Sequence, residues 1–153
     1  MTDNSAAGRT ELMRLADATQ SISIQLRSTT PSHHSAGTLY YDADVVVTSD
    51  FVSGSVYLGF DSQDLVHLGQ LLVLLQESDE EFDPDDPFMA DWPSEGRTAY
   101  LRLIGEDPFV VEVHDGTGSQ VVVAMCLDLH EDWLTEARQR LEEARAALGV
   151  PQP

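Results

Sequence analysis

LYYDADVVVTSDFVSGSVYLGFDSQDLVHLGQLLVLLQ, residues 39–76, holds two extended runs, a turn and a helix in unbroken succession. The runs 39–48 and 55–60 are dense in valine and tyrosine and read as strands. Residues 49–54 supply the turn between them, with Gly54 free to take a positive φ. Asp61-Ser62-Gln63-Asp64 then reads as a helix start, because short oxygen side chains accept from the exposed N–H groups of a first turn. Leu65, Leu68, Leu72 and Leu75 recur at steps of three and four, which puts them on one face of a helix ending near Gln76. Val66, Leu71, Val73 and Leu74 widen that stripe and predict burial on more than one side.

Upstream, residues 1–10 form a small, polar tail without the apolar core of a secretory signal. A strand is expected over 11–16 and a clearer one over 21–27, where Ile22, Ile24 and Leu26 alternate with Ser23, Gln25 and Arg27. Residues 28–37 (STTPSHHSAG) are a loop by composition.

Downstream, residues 77–95 break the composition. Nine of these nineteen residues are acidic, three are proline and none is basic. Like charges and Pro84, Pro87 and Pro93 together predict an extended, solvated loop. Strands follow over 98–104, 109–114 and 120–129. In the last, Val121, Val123, Met125, Leu127 and Leu129 occupy alternate positions and share one face. Asp115-Gly116-Thr117-Gly118 has the chemistry of a hairpin connection. A helix over 131–148, with Leu134, Ala137, Leu141, Ala144 and Leu148 in one stripe, is closed by Gly149 and Pro151, and 150–153 remain as a tail. The order predicts one α+β domain over 11–149, with two helices packed on one face of a mostly antiparallel sheet in two layers.

Charge narrows the function. Twenty-seven acidic residues face eight basic ones, all arginine, for a formal charge of −19 and a pI near 4.2. Such a surface repels phosphate backbones and anionic lipid and steers cationic partners inward. The expectation is a cytoplasmic protein that binds neither nucleic acid nor membrane. The lone Cys126 excludes an intramolecular disulfide and suits a reducing compartment.

Asp79, Glu81, Asp83 and Asp85 offer carboxylates at alternate positions, but Pro84 and Ala90 stand where a calcium loop started at Asp79 needs its glycine and its glutamate. The histidines, His33, His34, His67, His114 and His130, lack the repeated short spacings of a zinc site. Gly116-Thr117-Gly118 has no third glycine and is followed by a strand, so it is not a dinucleotide loop. No catalytic, cofactor or metal residue set is expected, and the chain does not read as an enzyme. What remains is the acidic stretch itself. Asp79, Glu80, Glu81, Asp83, Asp85 and Asp86 surround Phe88 and Trp92, a composition that pairs steering charge with aromatic anchors at a protein-binding edge. The competing reading is that Phe88 and Trp92 pin the segment to the domain by packing. Trp133 is expected to pack on the sheet.

Residues 43–60 (ADVVVTSDFVSGSVYLGF), with Phe51 and Gly54, run into a leucine-rich helix. The acidic linker, the 97–104 strand, a hairpin and a terminal helix opened by a tryptophan follow. This pattern resembles a group of small acidic actinobacterial proteins classed as a domain of unknown function. More distantly it is similar to immunity proteins of wall-associated polymorphic toxin systems. The resemblance spans about residues 11–149 and implies a fold type; it carries over no functional residue. Two readings follow for the function. One is a protein-binding domain, immunity- or antitoxin-like, that masks a basic partner. The other is an accessory or regulatory cytoplasmic domain whose acidity serves solubility.

Overall fold

A computed structural model describes residues 9–77, 85–94, 98–116 and 119–150. Among these, nine strands and two helices follow one another as β1 (Glu11–Ala16), β2 (Ser21–Leu26), β3 (His33–Ser35), β4 (Thr38–Thr48), β5 (Ser53–Asp61), α1 (Ser62–Glu77), β6 (Phe88–Trp92), β7 (Tyr100–Gly105), β8 (Phe109–His114), β9 (Val122–Leu127) and α2 (Trp133–Leu148). The fold is α+β and all its strand pairs are antiparallel. The strands divide between two sheets, however, where the sequence suggested one. The first has the order β1-β2-β4, with β3 and β5 both paired to β4; the second is the meander β6-β7-β8-β9. The division follows from the strand-to-helix junction: α1 leaves directly from the end of β5 and carries the chain off the first sheet before β6 begins.

The β4–β5 hairpin runs from Tyr40↔Asp61 to Thr48↔Ser53 and buries Tyr41, Ala43, Val45 and Val47 with Leu58 and Phe60. Its turn is shorter than the sequence suggested. The Ser49 hydroxyl accepts from Val52 N–H at 2.9 Å, so the turn closes at Val52. Gly54 therefore lies inside β5, and its φ is not positive. Residues 28–37 likewise hold a strand, because Ala36 (φ 51°) and Gly37 (φ 82°) make a two-residue turn that folds β3 back on β4.

At the head of α1, Asp61 N–H donates to the Asp64 carboxylate and Asp64 N–H to that of Asp61, both at 2.9 Å. This reciprocal box satisfies two donors that a helix start leaves open. Leu65, Leu68, Leu71, Leu72 and Leu75 are buried. Val73 and Leu74 are not, with exposures of 39% and 49%, so the broad apolar helix is covered on one side only. Its neighbours in the fold are α2, β4, β5 and β6. Arg145 of α2, itself buried, donates from Nη2 to the Leu65 carbonyl at 2.8 Å. A Cβ on Gly69 would stand 3.3 Å from that Nη2. The glycine inside α1 thus makes room for the guanidinium.

In α2, Leu134, Ala137, Leu141, Ala144 and Leu148 are buried, and Trp133 packs on Phe109 with ring centroids 5.0 Å apart. Gly149, at φ 70°, ends the helix and donates to the Ala146 carbonyl. One apolar cluster joins both sheets and both helices. Ile24, Val45, Val47, Leu58, Met125 and Leu127 are buried in it, while Val56 and Val123 are partly covered. Two expectations need correction. Ser23 and Gln25 are buried as well, although they alternate with the apolar Ile22, Ile24 and Leu26 along β2; the Gln25 amide donates to Ser23 Oγ. The 120–129 strand shortens to β9, an edge strand, and leaves Val121 and Val122 exposed.

The β1–β2 turn clamps the edge of the second sheet. Asp17 accepts from the N–H groups of Thr19, Gln20 and Asp128, and Gln20 donates to the Cys126 carbonyl. These backbone donors, Thr19 foremost, hold the Asp17 carboxyl near a pKa of about 2, against an ordinary 3.8. A carboxyl depressed in the folded state stabilises fully above its unfolded value and loses that contribution as pH falls through the folded one. Asp17→Asn keeps a turn acceptor but presents an amide to Asp128 N–H. It is expected to cost about 1 kcal/mol at pH 6. The difference between parent and variant in urea denaturation should shrink below about pH 3.8 and close near pH 2. A difference that stays constant to pH 2 would show that the charge plays no part.

Candidate protein-binding surface

Of the acidic residues singled out in the sequence, Asp79, Glu80, Glu81 and Asp83 lie outside the described residues. Asp85 and Asp86 are exposed and lead into β6. From there the solvated-loop expectation fails. Phe88–Trp92 alternate inward and outward as an edge strand, with Pro87 and Pro93 flanking it rather than interrupting it. Met89 is 56% exposed; Phe88 is half-buried against the core. Asp91 is held by Arg102 through two contacts, Nε–Oδ1 at 2.7 Å and Nη2–Oδ2 at 3.1 Å, which raises the pKa of the guanidinium.

Trp92 decides between the two sequence readings in favour of packing on the domain and against a partner anchor. It has no exposed surface, its Nε1 donates to the Asp64 carbonyl at 2.7 Å, and its ring meets Phe60 at 5.7 Å. It cannot anchor a partner, because it already anchors the second sheet to the head of α1. An amphipathic ring with a donor is buried where it finds both apolar cover and an acceptor. The apolar alternation of Phe88, Ala90 and Trp92 is the sequence signal for that packing.

A second surface was not anticipated. On the outer face of the β4–β5 hairpin, Tyr40, Asp42 and Asp44 stand in register opposite Asp61, Gly59 and Tyr57. Tyr57 leans over Gly59, where a Cβ would come 3.0 Å from the Tyr57 hydroxyl, and donates to Asp42 Oδ1 at 2.5 Å. That bond, with burial second, pushes the phenol up to about 12. His33 meets Tyr40 across β3 and β4, rings 5.4 Å apart and tilted by 44°. Gly59 N–H donates to Thr98 Oγ1 at 3.0 Å. The outcome is an open hollow of about 260 Å³ over Gly59. Arg27 lies 4.9 Å from the centre of the Tyr57 ring and grips Asp44 through Nε and Nη2, holding that carboxyl below its ordinary range. A strand glycine two residues after a tyrosine could have disclosed this, since the two share a face and glycine permits close approach.

A cleft of about 610 Å³ lies between α1 and α2. It combines Glu77 and Glu142 with Arg138 and Arg145 and offers no single sign of charge. Among the described residues no three His, Cys, Asp or Glu side chains are grouped to hold a metal, and no helix is long and apolar enough to cross a membrane. Cys126 is exposed on β9. No curated protein matches the chain. A family model matches residues 10–149, nearly the whole of the chain: the chain belongs to the family of unknown function DUF5959.

Proposed function

We propose that this protein is a non-catalytic, cytoplasmic binding domain for a protein with a basic surface, in the manner of an immunity protein or antitoxin that covers its target. The observation that supports this is where the arginines go. Of the seven described, Arg9, Arg14, Arg27, Arg102 and Arg140 pair with carboxylates. Arg138 donates to Gln76 and Arg145 is buried against Leu65. The seven described arginines are thus engaged internally, while exposed carboxylates such as Asp50, Asp86, Glu106, Asp107, Glu131 and Glu143 face outward. A surface of that kind selects cationic partners and speeds their approach.

On this reading the edge at Asp85, Asp86 and Met89 contributes steering charge beside an apolar side chain. Affinity capture from the native cytoplasm identifies the partner, and stopped-flow mixing then tests the surface. Asp85→Asn with Asp86→Asn should slow association several-fold and flatten its salt dependence, with dissociation and melting temperature little changed. If the double variant associates as fast as the parent at every ionic strength, the edge takes no part. If no basic protein binds at all, the acidity serves solubility.

A further inference from the structure

We infer that the hollow over Gly59 is a receptor for one arginine side chain of a basic protein partner, its guanidinium held between Asp42 and the rings of Tyr57 and Tyr40. This deepens the binding reading above and rests on it for the source of the arginine. The chemistry of the hollow is independent of that source. Its size comes first: about 260 Å³ is below the usual range for cofactors and drug-sized ligands, and suits a single long side chain.

Its walls come second. Tyr40, Tyr57 and His33 present aromatic surface, and a guanidinium is drawn to such faces by the ring quadrupole. The protein already shows the pairing, since Arg27 sits on the Tyr57 ring. Tyr57 also donates its hydroxyl proton toward Asp42, which enriches the ring that a cation would meet.

Charge comes third. Asp42 is half-buried, and among the described residues it makes no ion pair within 4 Å; its Oδ1 accepts from Tyr57. Arg27 attracts Asp42 through space only, because its Nε and Nη2 are bound to Asp44, so the hydrogen-bonding capacity of Asp42 toward a cation is not taken up by it. A carboxylate flanked by aromatic rings, on a chain of net charge −19, is electrostatically complementary to a cation and to nothing anionic. Arginine fits better than lysine: its planar fork can bond the carboxylate edge-on while stacking on a ring.

Titration of the isotopically labelled protein with N-acetyl-arginine amide at low salt, followed by NMR, tests the hollow without any partner. Saturable shifts are expected at Tyr40, Asp42, Tyr57 and Gly59, with a Kd on the order of millimolar. N-acetyl-norleucine amide should give none. Asp42→Asn should weaken binding about tenfold. His33→Ala, at an exposed position, should weaken it less and leave the fold intact, which guards against Asp42→Asn acting through misfolding. Shifts spread over the whole surface, linear in probe concentration or unchanged in Asp42→Asn, would overturn the inference. The two proposals fail separately. A basic partner that binds Asp42→Asn and His33→Ala as tightly as the parent removes the hollow from the interface and leaves the binding function standing. Saturable probe binding with no basic partner does the reverse.

Discussion

Trp92→Ala is expected to destabilise the protein by about 3–5 kcal/mol, the usual cost of emptying a fully buried aromatic site. A domain with roughly 5–15 kcal/mol of total stability would lose a large part of it. The physical reason is position as much as size. Trp92 ends the edge strand β6, its ring packs on Phe60 of the first sheet, and its Nε1 holds the Asp64 carbonyl at the head of α1. Removing it opens a cavity where both sheets meet the helix. Trp92→Phe should recover most of the packing and lose about 1 kcal/mol for the hydrogen bond. Urea denaturation followed by circular dichroism checks both. If Trp92→Ala melts like the parent and only a binding partner is lost, Trp92 is a surface anchor and its placement in the core is wrong.

Gly116→Ala is the second large effect, expected at about 3 kcal/mol or more. A Cβ there would stand 2.3 Å from the Thr98 carbonyl oxygen and 3.1 Å from its carbon. Both atoms are backbone and cannot swing aside as the end of a side chain can. Thr98 in turn accepts from Gly59 N–H and lines the hollow, so the strain passes directly from the β8–β9 connection to the first sheet. Gly54→Ala is the control, since a Cβ there meets nothing within 4 Å and φ is not positive. It should change stability by less than about 1 kcal/mol. The same urea curves decide: equal midpoints for Gly116→Ala and Gly54→Ala would mean the backbone at Thr98 yields freely. In Gly116→Ala protein that still folds, N-acetyl-arginine amide should bind more weakly, because Thr98 moves.

The sequence alone determined what depends on neighbours along the chain. The order of the principal elements, the antiparallel hairpins, the leucine face of α1 and the helix start at Asp61–Asp64 follow from spacings of two, three and four residues. The excess of acidic over basic residues was equally legible, since it is a property of composition.

Only tertiary structure decided which apolar surface is covered and which distant residues meet. Val73 and Leu74 look like core but are exposed in the folded chain; Trp92 could be anchor or packing until its burial against Phe60 and Asp64 settles it. Asp42 and Tyr57, fifteen residues apart, are brought together by the register of β4 on β5 and by the missing side chain at Gly59. Burial is a relation between surfaces that local periodicity cannot specify: a strand or helix shows which face is apolar, and the packing of the whole chain determines what covers it.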